Sequence, residues 1–140
     1  AYVLPTESQW EYACRAGTTT AYSWGATIAS SNANYNWDGA WNTGNDFKQT
    51  RDVGQYTANP WGFFDMHGNV WEWCADWYGD YPSGSVTDPI GPASGSFRVK
   101  RGGSYSSYGG VDQCRSAVRE ANAINQSYKS NGFRVSFQKQ

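Results

Sequence analysis

The chain has 140 residues with 11 basic and 12 acidic side chains, which gives a formal net charge of −1. This length fits one domain, 1–140, and the balanced charge argues against nucleic-acid binding. No apolar run approaches the roughly 20 residues that a membrane-spanning helix requires, so we expect no direct membrane insertion by this domain.

The composition is rich in aromatic residues and glycine, with 8 Trp, 10 Tyr and 16 Gly, whereas Leu4 is the only leucine. A core with so few aliphatic side chains has to be built from aromatic rings, which bury a large area per residue. Abundant glycine and asparagine predict many turns with positive φ. The composition therefore predicts a loop-rich chain that contains β-structure and little helix.

The first predicted element is a helix within residues 5–17. Thr6 is a candidate N-cap, Gln9 completes a capping box, and Gly17 stands where helices commonly end. The predicted apolar stripe consists of Trp10, Tyr12, Ala13 and Ala16.

Residues 18–60 are polar and show no sustained period, and they are predicted to form long ordered loops. The rings that would pin these loops are Trp24, Trp37 and Trp41. An aromatic centre follows at 61–81, and after a turn-rich segment come three strand-like runs, FRVKRGGSY, RSAVRE and GFRVSF. In the last run Phe133, Val135 and Phe137 alternate with polar residues, which predicts a half-buried strand.

Three cysteines, Cys14, Cys74 and Cys114, occur without a CxxC spacing, so a zinc site is not expected. One disulfide with one buried thiol, or three thiols, are both compatible with the sequence. A Cys74–Cys114 pair that leaves Cys14 free is one such arrangement.

The segment FFDMHGNVWEWC at 63–74 holds the only histidine and the only methionine. His67 could act as a general base, but without a second histidine or an identified nucleophile a solvent-facing loop position is favoured. Glu72 and Asp76, four residues apart, could bind metal on a helix, although a solvated or salt-bridged turn is the simpler interpretation.

Five motifs occur in order along the chain: LPTESQWEYACRAG, DMHGNVWEWCADWYG, RVKRGGSY, CRSAVR and NGFRVSF. From Leu4 to Phe137 this order resembles the formylglycine-generating-enzyme (sulfatase-modifying factor) family, whose fold is a variant of the C-type lectin fold. The resemblance implies an α+β domain that is loop-rich, with short strands and one or two helices. It also implies that the family's N-terminal strand and first helix are missing from 1–140.

The resembling enzymes oxidise a substrate cysteine to formylglycine with copper that is held by two cysteines after the Arg-Gly-Gly-Ser-Tyr motif. Here that motif is 101–105, and the two copper positions fall near Ser106 or Ser107 and near Val111 or Asp112. Hydroxyl and carboxylate groups are poor ligands for Cu(I), which prefers sulfur. We therefore expect no copper and no enzymatic formylglycine synthesis.

The resemblance further implies structural calcium, which oxygen ligands around a glycine turn can hold. The first site would use the side chains of Asp65 and Glu72 and the carbonyls of Gly68 and Val70. A second site would use Asn34, the Tyr35 carbonyl and Asp46. The open alternative for the first site is that Asp65 caps the turn and Glu72 pairs with an arginine such as Arg101 or Arg119.

Two stretches of the last 40 residues, YSSYGGVDQ and EANAINQSYKSN, follow no packing pattern. Their tyrosine, serine, asparagine and glycine residues are typical of adaptable recognition surfaces. In a C-type lectin fold this part of the chain forms the exposed ligand-binding face, which defines 104–131 as a candidate variable segment. The candidate ligand-binding residues are Tyr105, Ser107, Tyr108, Asp112, Gln113, Asn122, Ile124, Asn125 and Tyr128.

The same layout resembles the variable proteins of bacterial and phage diversity-generating retroelements, whose C-terminal segment is mutagenised at adenine-containing codons. This implies a non-catalytic, receptor- or adhesion-like domain that binds a protein or cell-surface ligand and is displayed at the cell surface, secreted or phage-borne. The alternatives are a formylglycine-generating-enzyme-related oxidoreductase or accessory domain, a lipoprotein component of an envelope assembly, and a polar surface loop without a binding role.

Overall fold

Short strands, one α-helix and long loops make up the described part of the chain in the computed structural model, which covers residues 1–35, 49–107 and 110–138. In chain order the elements are β1 (Tyr2–Val3), α1 (Glu7–Arg15), β2 (Trp71–Trp77), β3 (Phe97–Arg101), a 3-10 helix (Gly110–Cys114), β4 (Arg119–Ala123), β5 (Asn131–Gly132) and β6 (Ser136–Phe137). This loop-rich α+β content confirms the predicted fold class. The positions of Trp37, Trp41, Asp46 and Tyr108 lie outside the described residues.

Helix α1 begins with the predicted capping box. The Thr6 hydroxyl accepts from the Gln9 backbone N–H at 3.2 Å, and Gln9 Oε1 accepts from the Thr6 N–H at 3.0 Å. The helix ends at Arg15, with Ala16 as its C-cap at φ 48°, and Gly17 follows in the predicted C′ position with φ 86°.

The buried face of α1 differs in part from the predicted stripe. Trp10 is buried as expected, but Tyr12 is 70% exposed and packs edge-on against the Trp61 ring at its surface. The buried positions are Glu7, Trp10 and Cys14, whose spacing of three and four residues follows one helix face.

The main sheet has the strand order β4-β3-β2-β5, with β5 parallel to β2 and the other pairs antiparallel. Trp73 lies opposite Lys100, and Lys100 lies opposite Glu120. Because side chains alternate along a strand, Val99 and Arg101 of β3 share one face, while Lys100 takes the other. The face that carries Val99 packs on α1. The opposite face, which carries Lys100, borders the cavity described below, and we call it the cavity face.

The Cys74–Cys114 disulfide, one of the arrangements that the sequence left open, is not formed. All three cysteines are free and buried, which is the three-thiol alternative. Cys14 and Cys74 lie in a core cluster with Trp10, Met66 and Val99 between α1 and the sheet. Cys114 lies in a second cluster with Tyr22, Ala33 and Tyr35.

Two of the predicted strands are displaced. The run RSAVRE contributes only its last two residues to β4. The run GFRVSF contains β6 at its end, and its three apolar side chains are exposed rather than half-buried: Phe133 is 68%, Val135 56% and Phe137 70% exposed. The reason is that β6 pairs with the two-residue β1, away from the main sheet.

Candidate functional site

A cavity of about 350 Å³ opens on the cavity face of the sheet, between the loop at 104–107 and the turn at 126–131. Strands β2, β3 and β4 supply its floor through Trp71, Lys100 and Glu120. Four of the predicted ligand-binding residues line it together: Ser107, Gln113, Asn122 and Tyr128. They come from a loop, a 3-10 helix, a strand and a turn, so the fold gathers them from positions spread over more than twenty residues of the chain.

The other predicted ligand-binding residues lie around this cavity or away from it. Tyr105 is half-buried and its N–H donates to the Asn69 carbonyl at 3.0 Å. Asp112 and Asn125 are exposed. Ile124 is 67% exposed and lines a separate hollow of about 630 Å³ beside Trp73. Tyr108 lies outside the described residues.

The loop that carries Ser104 and Ser107 is fixed by its own hydrogen bonds. The Ser104 N–H donates to Ser107 Oγ at 2.8 Å, and the two hydroxyl oxygens lie 3.0 Å apart. Gly103 enters this loop with φ 73°, and a Cβ there would lie 2.6 Å from Cys114 Sγ. Glycine is therefore required for this approach, and it sets where the two serines stand.

Lys100 is a lining residue that the sequence-based set missed. Its side chain is almost fully buried, at 2% exposed, and Nζ donates to Asn131 Oδ1 at 3.0 Å. Glu120 Oε2 lies 3.9 Å from Nζ, and the Trp71 ring centroid lies 5.4 Å away. Burial lowers the pKa of Lys100, and the Glu120 carboxylate raises it by less. The alternation in FRVKR, with Lys between Val99 and Arg101, was the signal for a lysine on the face opposite the core.

The prediction that His67 faces solvent is wrong, because the residue is only 4% exposed. Its Nδ1 donates to the Cys114 carbonyl at 2.7 Å, and its Nε2 accepts from the Ser23 N–H at 3.2 Å. Rings of Tyr22 and Trp24 cover it edge-on. Burial lowers its pKa to about 4, so the imidazole is neutral near pH 7. Both nitrogens have structural partners, which leaves no general base here.

The thiol of Cys14 lies 3.6 Å from His67 Nε2 and 3.6 Å from Ser116 Oγ. This arrangement looks like a cysteine–histidine pair, but burial raises the pKa of Cys14 to about 12. A nucleophilic cysteine needs a thiolate, and this environment holds the neutral thiol. The pair is therefore part of the core.

The carboxylate of Glu72 already has a cationic partner and a further hydrogen-bond donor inside the protein. Arg134 donates to it through Nε at 2.5 Å and Nη2 at 2.7 Å, and Trp10 Nε1 donates at 2.6 Å. The expected partners Arg101 and Arg119 were wrong, because Arg101 bonds to Glu11 and Arg119 bonds to Glu7 instead.

Asp65 Oδ2 accepts from the Gly54 N–H at 2.7 Å, which belongs to a separate turn and not to the turn at Gly68 that the alternative had Asp65 cap. A cation at the first predicted calcium site would have to share Glu72 with the Arg134 guanidinium, so Asp65, Gly68, Val70 and Glu72 as arranged do not fit calcium well. Calcium at this site remains a prediction.

The second predicted calcium site lies at the edge of the described residues. Asn34 is buried and donates through Nδ2 to the Gln49 carbonyl at 3.0 Å and to Asn69 Oδ1 at 3.1 Å. Tyr35 is also buried. With Asp46 outside the described residues, this site also remains a prediction.

Elsewhere in the described ranges no three His, Cys, Asp or Glu side chains are grouped to hold a metal. Glu72 and Asp76 lie on β2 rather than on a helix or turn, and Asp76 Oδ2 accepts from the Glu7 N–H at 2.7 Å. At the copper positions of the resembling enzymes stand hydroxyl, aliphatic and carboxylate groups, a donor set that does not fit Cu(I). Cys114 is fully buried, and burial raises its pKa to about 12.

Comparison with known proteins places these observations in a family. Residues 1–139 match the family model described as "Sulfatase-modifying factor enzyme 1-like domain". The formylglycine-generating enzyme of Mus musculus is 39% identical over 142 residues, which cover 94% of this chain and 38% of that protein. The serine/threonine-protein kinase pkn1 of Chlamydia caviae is 42% identical over 94% of this chain and 20% of that protein.

Among solved structures, Treponema denticola variable protein 1 superposes with a TM-score of 0.80 at 34% identity, over 96% of this chain and 46% of that one. The chain thus spans less than half the length of each of these three proteins. The resemblance read from the five motifs, to the formylglycine-generating enzymes and to a variable protein on the same C-type lectin-like fold, is confirmed. In the described ranges no helix combines the length and apolar character that crossing a membrane requires.

Proposed function

The chain belongs to the family of sulfatase-modifying factor enzyme 1-like domains, and we propose that within this family it is a non-catalytic, receptor- or adhesion-like domain. It would bind a protein or cell-surface ligand through a variable surface within 104–131, diversified by a retroelement. A domain in this role acts at the cell surface, secreted or on a phage particle.

One observation carries the proposal. Ser107, Gln113, Asn122 and Tyr128 converge on a single cavity, although they come from four different elements. The motif residues that precede or separate them are fully buried, such as Arg101, Cys114 and Ser116. Substitutions at Gln113, Asn122 and Tyr128, which are half-buried or exposed, can therefore change recognition without disturbing the core, whereas Ser107 is itself buried and bonded to Ser104. A diversified binding surface requires this division between rim and core.

The likeness to a variable protein supports this proposal, and so does the donor set at the copper positions. The second candidate is a formylglycine-generating-enzyme-related oxidoreductase or accessory domain. We keep it because the family includes enzymes, among them the mouse enzyme, which is 39% identical to this chain. This candidate requires that copper added to the purified chain supports oxidation of a cysteine-containing peptide. We expect no such oxidation, since two thiols are needed at positions where this chain has none.

The experiment that tests the binding proposal is deep sequencing of the 3′ end of the gene across a culture or community, with the first two-thirds of the gene as internal control. We expect substitutions to concentrate at codons 105–128, including Tyr105, Asp112, Asn125 and Tyr128, while the codons for Arg101–Gly103 and Arg134 stay fixed. If 105–128 varies no more than the control, diversification is refuted.

A second arm tests the placement of the binding surface in the protein. Tyr128 is 50% exposed, so Tyr128→Ala should leave the melting temperature within a few degrees of wild type. It should weaken binding to a ligand selected against the wild-type domain by about tenfold or more, as the loss of an interface tyrosine commonly does. Tyr12→Ala, at a position that is 70% exposed but lies on α1, is the control and should leave affinity unchanged.

A further inference from the structure

The floor of the cavity carries hydrogen-bond donors that the described residues do not use. An ammonium group has three N–H donors, and the bond from Lys100 to Asn131 Oδ1 uses one. The Glu120 carboxylate oxygen at 3.9 Å is too far for a hydrogen bond. The described residues thus leave donor capacity on Lys100, which lines the cavity.

Asn131 adds a second unused donor. Its Nδ2 is buried and has no hydrogen-bond partner among the described residues. The amide orientation is fixed by its neighbour, because only Oδ1 can accept from the Lys100 ammonium. A buried donor without an acceptor is unfavourable, so a group that supplied one would be bound with a gain in free energy.

Charge and size define the class of that group. Lys100 is the one cationic side chain among the described residues that line the cavity, and Glu120, also on its floor, contributes a negative charge. A phosphate dianion would bring a second negative charge without a second cation. The volume of about 350 Å³ admits a short side chain but not a large ligand. A singly charged group with two acceptor oxygens, followed by methylene groups against the Trp71 ring, matches these features.

We propose that the cavity binds the carboxylate of an aspartate or glutamate side chain presented by a protein partner. One carboxylate oxygen accepts from Lys100 Nζ, and the other accepts from Asn131 Nδ2. Variable residues such as Gln113 and Tyr128 then contact the partner around this constant anchor. The proposal rests on the binding function proposed above, because it names the chemistry that the same surface recognises.

The test uses N-acetyl-glutamate amide as the probe and N-acetyl-glutamine amide as its neutral counterpart. Titration into the ¹⁵N-labelled chain is followed by NMR at the Asn131 side-chain amide. We expect the glutamate probe to shift these signals in a saturable manner and the glutamine probe to leave them in place. Lys100→Met, whose fold is checked by its amide spectrum, should weaken binding of the glutamate probe by about tenfold or more.

A second variant keeps the test decisive if Lys100→Met does not fold. Glu120 is partly exposed, and Glu120→Gln removes the carboxylate that competes for the ammonium, so it should strengthen binding of the glutamate probe. Equal shifts with both probes, no shift with either, or no strengthening in Glu120→Gln would overturn the proposal. Inorganic phosphate that bound better than the glutamate probe would also overturn it, because it would identify a phosphate site.

The outcome separates the anchor from the binding function. If the glutamate probe does not bind while codons 105–128 still vary and Tyr128→Ala still loses a selected ligand, the anchor is wrong and the binding surface stands. If codons 105–128 do not vary and Tyr128→Ala binds a selected ligand as well as the wild type does, the proposed binding function itself fails, whatever the probe shows.

Discussion

At the scale of single residues, His67 shows how burial alone sets the behaviour of a titratable group. The unfolded chain binds a proton at His67 with a pKa near 6.5, whereas burial lowers the pKa in the folded protein to about 4. Between these two pH values the unfolded state binds more protons, so the folded state loses stability as the pH falls from about 6.5 to about 4. At the lower limit the loss from this residue amounts to about 3 kcal/mol.

The measurement is urea unfolding of the wild type and of His67→Asn at several pH values across this window. Asparagine keeps a donor toward the Cys114 carbonyl but does not titrate. The wild-type free energy of unfolding minus that of the variant should therefore decrease as the pH falls. A difference that stays constant from pH 7 to pH 4 would show that His67 titrates normally in the folded state.

Arg134 illustrates a partner that local sequence reasoning could not find. Arg134→Met should lower the free energy of unfolding by about 3–5 kcal/mol, because it leaves Glu72 buried without its countercharge. Arg115→Met is the control, since Arg115 is about half exposed and its pair with Asp112 spans 3.8 Å; its cost should be at most about 1 kcal/mol.

Unfolding in urea, with and without calcium, measures both variants. A loss for Arg134→Met no larger than that for Arg115→Met would contradict the role of Arg134. If the loss became small only when calcium was present, the first predicted calcium site would be supported instead, with the ion able to replace the guanidinium at Glu72.

The residues that could be predicted from the sequence are those whose partners are close in the chain. The capping box joins Thr6 and Gln9 across three positions, and it was predicted with both of its bonds. An arginine partner for Glu72 was the open alternative to calcium, but Arg134 lies 62 residues further along, and nothing in the sequence distinguishes it from Arg101 or Arg119. His67 was misplaced for the same reason, because Tyr22 and Trp24, which cover it, come from a distant loop.

At the scale of elements, the turn after β3 determines where the cavity wall stands. Gly103→Ala should cost about 2–5 kcal/mol, from the left-handed backbone and from a Cβ placed 2.6 Å from Cys114 Sγ and 2.8 Å from the Gln113 carbonyl oxygen. Gly84→Ala is the matched control: its φ is 95°, but a Cβ there meets nothing within 4 Å. That variant should lose only about 1–2 kcal/mol.

Thermal and urea unfolding of the two variants measure this difference. Similar losses would mean that the turn can shift to admit a methyl group, and that the loop with Ser104 and Ser107 is not held by the approach of Gly103 to Cys114. A larger loss for Gly103→Ala is the expected result.

How well each element could be predicted depends on how close in the chain its contacts lie. Strand β3 was identified from FRVKR because its alternation is complete within five residues. The run GFRVSF has an equally clear alternation, yet its apolar side chains are exposed, since β6 pairs with the short β1 from the other end of the chain. Alternation predicts that a segment is extended; which neighbour covers its apolar side depends on topology.

At the scale of the whole molecule, a polar network ties the helix to the sheet beneath the cavity. Arg101 is fully buried, donates to the Ser116, Ala117 and Val118 carbonyls, and pairs with Glu11 of α1. Arg119 pairs with Glu7 of the same helix. The scaffold is thereby held by groups on the α1 face of the sheet, which leaves the cavity face free for the proposed binding surface.

The same separation predicts how the three thiols respond to a reagent. Cys14, Cys74 and Cys114 are 0–1% exposed, and burial raises the pKa of each one. In the native protein a thiol reagent such as N-ethylmaleimide should therefore label none of them, whereas in urea all three should react. Because they belong to both core clusters, the three should become reactive together as the domain unfolds.

Mass spectrometry after labelling at increasing urea concentration measures this behaviour. Ser127→Cys adds a thiol at an exposed position of the turn at 126–131 and should label at once in the native protein, which shows that the reagent is active. A single reactive thiol in urea would indicate that two cysteines are joined in a disulfide. Early labelling of Cys114, with Cys14 and Cys74 still protected, would show that the second core cluster, which contains Cys114, opens independently of the cluster between α1 and the sheet. The proposed binding surface would then rest on a mobile support, and changes at its residues would be expected to affect stability as well as binding.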